Sequence, residues 1–123
     1  METAVPNIKK HTISLLVSNK PGVLIRIALV FARRGYNIDS LVVSESPDPA
    51  FSTMNIVATG DAQTLEQILK QLNKLVDVIH ARDRKDEDII QRELALIKVR
   101  CAPEVRTDIL QIARAFDCDI MDL

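Results

Sequence analysis

At 123 residues the chain has room for one ordinary domain, or for one small domain and part of another. Its 47% hydrophobic and 27% charged content suits a globular protein, and a net charge of −1 offers no general pull toward nucleic acid or a membrane. Two cysteines without a CxxC, an opening METAVPNIKK without an apolar h-region, and no apolar run near the roughly 20 residues that cross a bilayer argue against a disulfide scaffold, a secreted chain and a membrane span, and favour a cytoplasmic setting.

Residues 1–10, with Pro6 and Lys9-Lys10, read as an N-terminal segment. His11–Ser18 alternates, with Ile13, Leu15 and Val17 on one side and Thr12, Ser14 and Ser18 on the other, which predicts a half-buried strand. A helix follows over Pro21–Arg34, closed by Gly35, with Arg33 and Arg34 complementing its dipole. Leu24, Ile27, Ala28 and Phe31 form its expected core stripe, flanked by Val23 and Val30 on one side and by Ile25 and Leu29 on the other. That apolar arc is much wider than the ~100° a surface helix needs, so one flank is expected to lie against another subunit.

Tyr36–Ser46 and Phe51–Thr59 read as a hairpin joined by Ser46-Pro47-Asp48-Pro49-Ala50. Gly60-Asp61 opens a second, one-faced helix carrying Leu65, Ile68, Leu69 and Leu72, with Asp61 as N-cap, and Val76–Ala81 is a fourth strand. The order βαββαβ predicts an α+β, ferredoxin-like domain over residues 11–82: a four-stranded antiparallel sheet with both helices on one face. A mixed-charge linker follows over residues 83–91. Then Arg92–Cys101 reads as a strand, Pro103–Phe116 as a helix and Asp117–Leu123 as the start of another strand, so residues 92–123 look like an incomplete second ferredoxin-like unit.

The junction Asn19-Lys20-Pro21-Gly22-Val23-Leu24 carries the main chemical signal. Pro21 suits a first helical turn, Gly22 permits close approach, and the amides of Gly22, Val23 and Leu24 would be donors at a positive helix end, fit for a carboxylate. Taken alone, the hexapeptide reads first as an ordinary strand-to-helix turn capped by Asn19, since such junctions are common. Nothing resembles a catalytic set: His11 and His80 have no nucleophile motif beside them and read as structural. Three glycines (Gly22, Gly35 and Gly60) form no phosphate-binding loop, and no metal-ligand spacing occurs. The four aromatics, Phe31, Tyr36, Phe51 and Phe116, provide no base-stacking platform, so an RNA-recognition role is excluded with catalysis.

HTISLLVSNKPGVLIRIALVFARRGYNIDSL is similar to the opening of ACT domains. With SESPDPAFSTMNIVATGD, LEQILKQLNKLVDVIHA and RELALIKVR, the chain from His11 to Leu123 resembles the small regulatory subunits of acetolactate (acetohydroxyacid) synthase. The resemblance implies a non-catalytic subunit, dimeric through its ACT domain, that activates a catalytic large subunit and makes it sensitive to a branched-chain amino acid, chiefly valine and possibly leucine or isoleucine. It implies effector ligands at Asn19, Pro21, Gly22, Val23 and Leu24, with Asn37 and Ile38 contributed by the partner chain. Thiamine diphosphate, Mg and FAD are implied only for the catalytic partner, with no cofactor or metal in this chain. An ACT module for another amino acid, and a structural activator that binds no effector, are the alternatives.

Overall fold

Alternating apolar side chains along two long strands set the frame. β1 (Ile8–Ser18) buries His11, Ile13, Leu15 and Val17, and β3 (Phe51–Asp61) buries Ser52, Met54, Ile56 and Ala58. The strands run antiparallel in unbroken register from Ile8↔Asp61 to Ser18↔Phe51. In the computed structural model, which describes residues 8–84 and 89–122, they are the centre of a four-stranded antiparallel sheet ordered β2-β3-β1-β4. β2 (Asn37–Glu45) and β4 (Val78–Asp83) are its edges.

Two helices cover one face. α1 (Val23–Arg33) brings Val23, Ile27 and Phe31, and α2 (Ala62–Lys74) brings Leu65, Ile68 and Leu72, into a single buried cluster with the inward residues of β1, β3 and β4. Each such side chain removed from water contributes about 1.5–3 kcal/mol, so this aliphatic layer holds the helices to the sheet. The result is the βαββαβ, ferredoxin-like plan read from the sequence.

Polar contacts finish the ends of α2. Asp61 Oδ2 accepts from the Thr64 N–H (2.9 Å) and from Thr64 Oγ1 (3.0 Å), and these bonds lower the Asp61 carboxyl below its ordinary value. In the last turn, the Asn73 side chain accepts from the Ala81 N–H (2.9 Å) and donates to the carbonyls of Leu69 (2.9 Å) and Ala81 (3.1 Å), which fastens α2 to β4. Tyr36 closes the core at the foot of the sheet. Its ring meets Phe31 edge-on at 6.3 Å, its hydroxyl donates to the Asp61 carbonyl (3.3 Å), and burial pushes its phenol up to about 12.

Several elements differ from the sequence reading. β1 begins at Ile8, inside the segment 1–10, because Ile8–Lys10 pair with Asp61–Thr59. α1 starts at Val23 rather than Pro21, because Gly22 takes a left-handed conformation (φ 84°) that ends the preceding turn. Its core stripe is therefore Val23, Ile27 and Phe31, and Leu24 is exposed. β2 and the last helix are each shorter at both ends than expected. Val76 and Asp77 form a turn, so β4 begins at Val78 and continues to Asp83.

The chain divides into two units between Ile89 and Ile90. Residues 85–88 of the charged linker lie outside the described residues. The second unit holds α3 (Arg106–Ala115), and neither 92–101 nor 117–122 forms a strand. A strand exists only in a ladder, and alternation alone supplies no partner for its N–H and C=O groups. Leu94, Leu96, Ile97 and Val99 are accordingly exposed.

Two outcomes test this packing. A Cβ on Gly60 would stand 2.2 Å from Tyr36 Cε2, so Gly60→Ala is expected to destabilise the fold by about 1–3 kcal/mol in urea unfolding, with an unchanged denaturant slope. The lowered Asp61 carboxyl gives stability that is complete above its unfolded value of 3.8 and is lost as pH falls through its lower folded value. Asp61→Asn is expected to flatten that acid limb in thermal melts taken between pH 5 and pH 2.

Candidate functional site

At the head of the sheet, β1 delivers the chain into the junction that leads to α1. The Ser18 N–H donates to the Asp77 carbonyl (2.8 Å) and the Lys20 N–H to the Ser18 carbonyl (3.0 Å), which folds residues 18–20 back on themselves. Asn19 is held by the β2–β3 turn: its N–H donates to the Ala50 carbonyl (2.9 Å) and its Nδ2 to the Pro49 carbonyl (3.0 Å). Asn19 is therefore not the helix cap. The cap is Gly22, which makes no side-chain cap bond and whose carbonyl accepts from the Arg26 N–H (3.1 Å).

Only a long 3.5 Å contact links the Val23 N–H to the Lys20 carbonyl. The N–H groups of Gly22, Leu24 and Ile25 have no acceptor among the described residues. They stand at the positive end of α1, where donors without intrahelical partners favour an anionic group. Val23 is buried in the core, so it offers backbone rather than side chain. The Leu24 side chain is 43% exposed beside it.

Arg26 also belongs to this junction. Its guanidinium pairs with Asp77 and lies 3.2 Å from where a Gly22 Cβ would be. One side chain thus joins α1 to the α2–β4 turn beside Gly22. Its spacing of four from Gly22 was the available signal, but the partner Asp77 lies 51 residues away.

Asn37 and Ile38 lie elsewhere. Asn37 opens β2 and pairs with Thr59, which pairs with Lys10 on β1, whereas the junction leaves β1 at Ser18. Eight residues of strand separate these levels, roughly 26 Å at ~3.3 Å per residue, so one chain does not bring the two groups together. Asn37 Nδ2 donates to Asp39 Oδ1 (2.9 Å), and Thr59 Oγ1 donates to the other Asp39 oxygen. Those two bonds, Thr59's first, lower the Asp39 carboxyl. Ile38 is half-buried and packs on the core.

β2 leaves its outer edge without a strand partner among the described residues, with Leu41, Val42 and Val43 exposed along it. Ile25 (66% exposed) and Leu29 of α1 are exposed as well. Ile25 and Leu29 belong to the flank of α1 that the sequence analysis expected to lie against another subunit. Of the two histidines, His80 is exposed. His11 is buried, with Nδ1 3.3 Å from Asp83 Oδ2 and no hydrogen-bond partner for Nε2 among the described residues. Among the described residues no group of three or more His, Cys, Asp or Glu side chains is placed to hold a metal, and no helix is long and apolar enough to cross a membrane. Cys101 and Cys118 are free and exposed.

This βαββαβ sheet, with free donors at its first strand–helix junction, has the plan of an ACT domain. Residues 13–80 match the family model described as the AHAS small subunit-like ACT domain, and residues 92–123 match that for the small subunit of acetolactate synthase. The chain is 47% identical over 114 residues to a protein of Methanothermobacter thermautotrophicus described as a probable acetolactate synthase small subunit, covering 92% of this chain and 68% of that protein. It superimposes on the crystal structure of the acetolactate synthase small subunit from Thermotoga maritima with a TM-score of 0.84 and 44% identity, covering 94% of this chain and 72% of the other. The ACT domain of GTP pyrophosphokinase from Chlorobium tepidum, at 17% identity and a TM-score of 0.56, shares the fold, with 71% of this chain and 98% of that one covered. The chain belongs to the acetolactate synthase small-subunit family. It is a regulatory, non-catalytic subunit, and that membership implies a catalytic large subunit as its partner.

The left-handed backbone at Gly22 gives a direct check on the junction. Gly22→Ala is expected to cost about 1–2 kcal/mol in urea unfolding, because an alanine must hold a positive φ there. The near atom, Arg26 Nη1, ends a flexible side chain and adds little.

Proposed function

We propose that this subunit binds a branched-chain amino acid, valine foremost and leucine or isoleucine more weakly, at a site shared between two copies, and so sets the activity of its catalytic partner. The observation that carries this reading is the separation of Asn37–Ile38 from Asn19–Leu24 by most of the length of the sheet. Each chain owns half of a site at either end. Antiparallel pairing of β2 with β2 of a second copy brings the partner's Asn37 to the Glu45 end of the first strand, beside the turn that holds Asn19. The same contact covers Leu41, Val42 and Val43 and draws the exposed side of α1 toward its counterpart.

In this arrangement the amides of Gly22, Val23 and Leu24 receive the effector carboxylate, with Pro21 shaping the loop before them. The side-chain oxygens of Asn19 and Asn37 accept from the ammonium group, and Leu24 and Ile38 face the branched side chain. An apolar pocket separates homologous ligands by only about 1–3 kcal/mol per methylene, which is why leucine and isoleucine belong to the same ligand class. Regulation requires that the effector bind one arrangement of the dimer more tightly than another, since equal affinity shifts nothing. The subunit itself supplies no cofactor; thiamine diphosphate, Mg and FAD belong to the catalytic partner, and the assembly acts in the cytoplasm.

Calorimetric titration of the full chain with valine is expected to give saturable heat at two equivalent sites per dimer, one per protomer. Asn37→Ala is expected to weaken valine about tenfold, the worth of one hydrogen bond to a charged group, with an unchanged thermal midpoint. Absence of heat with valine, leucine and isoleucine from a chain that stays dimeric in sedimentation would overturn the proposal.

A further inference from the structure

We propose that the β2–β3 turn is the positioning element of the effector site, fixing the Asn19 amide so that the site selects a ligand bearing an ammonium group; this rests on the effector-binding reading above. The turn is built around Asp48. Its carboxylate accepts from the Ala50 N–H (3.0 Å), and its carbonyl accepts from the Phe51 N–H (3.1 Å) and from Ser46 Oγ (2.6 Å). The Ser46 N–H closes the hairpin on the Phe51 carbonyl (3.1 Å), and Pro47 and Pro49 hold their own φ. Two consecutive carbonyls, those of Pro49 and Ala50, are thereby presented to Asn19, one to its side chain and one to its main chain.

An amide side chain has two ends of similar shape and opposite chemistry. Turning the Asn19 amide over would set Oδ1 against the Pro49 oxygen, losing a hydrogen bond and placing two acceptors face to face. The turn therefore commits the Nδ2 end to itself and leaves Oδ1, which has no partner among the described residues, on the side away from the hairpin. An acceptor held there takes an ammonium N–H with a charge-assisted bond, takes a hydroxyl more weakly, and opposes a carbonyl. The site thus separates an α-amino acid from the 2-keto acid of the same carbon skeleton. Asp48 acts only through Asn19 and is a positioning residue.

The test titrates valine and the 2-keto acid with the same isopropyl side chain onto the full chain by calorimetry. Wild type is expected to prefer valine by about tenfold or more, the size of one charge-assisted bond. Asp48→Ala is expected to narrow that preference to about two- to threefold, mainly through weaker valine binding, as the amide becomes free to turn over. Asp48→Asn keeps an oxygen for the Ala50 N–H and is expected to restore the preference. Asn19→Ala, which removes the amide itself, is expected to narrow the preference as far as Asp48→Ala and keeps the idea testable should that variant fail to fold by circular dichroism. Full preference in folded Asp48→Ala or Asn19→Ala overturns the proposal, as does equal binding of both ligands by wild type, and each of these leaves effector binding standing. Binding of neither ligand by wild type overturns the effector reading and the positioning role together.

Discussion

The antiparallel register between β1 and β3 is the constraint on which everything else depends. It runs without a bulge from Ile8↔Asp61 to Ser18↔Phe51, so the two ends of the sheet are defined by one ladder. At the head, the register sets the β2–β3 turn beside the β1–α1 junction and lets Asn19 reach Pro49 and Ala50. At the foot, it sets Gly60 under Tyr36 and places Asp61 where α2 must start. A slip of one residue would turn Ile13, Leu15 and Val17 to the outer face and dissolve both arrangements at once.

The plan of the domain was legible because its signals are local. Alternation in 11–18 and 51–59, the spacing of Leu65, Ile68 and Leu72, and Asp61 three residues before Thr64 each act within one or two turns of chain. The candidate site was legible only in outline. Asn19 read as a cap because Asn often is one, whereas its partner lies 30 residues on and becomes a neighbour only through the β1–β3 ladder. Arg26 and Asp77 illustrate the same limit across 51 residues. Pro21 read as the first helical residue because proline tolerates that position, yet the left-handed Gly22 moves the start to Val23 and turns Leu24 outward. Composition does not encode that one dihedral angle.

Residues 92–101 make the complementary point. They are as rich in aliphatic, strand-forming residues as β1, and they form no strand. β1 has β3 and β4 on either side, and this segment has neither counterpart among the described residues. Pattern states which face a strand would bury; a ladder decides whether the strand exists.

The outer edge of β2 has a further consequence. Asn37–Glu45 contains no lysine and no proline, and its middle is the unbroken aliphatic run Leu41-Val42-Val43, all exposed. Natural edge strands commonly carry such residues to discourage indiscriminate pairing. The charges of β2 are the acidic Asp39 and Glu45 toward the two ends, so the central run is the part of the edge open to an extended chain, and a protomer with that run uncovered is a sticky species. A chain laid along β2 would therefore also guard this edge against aggregation.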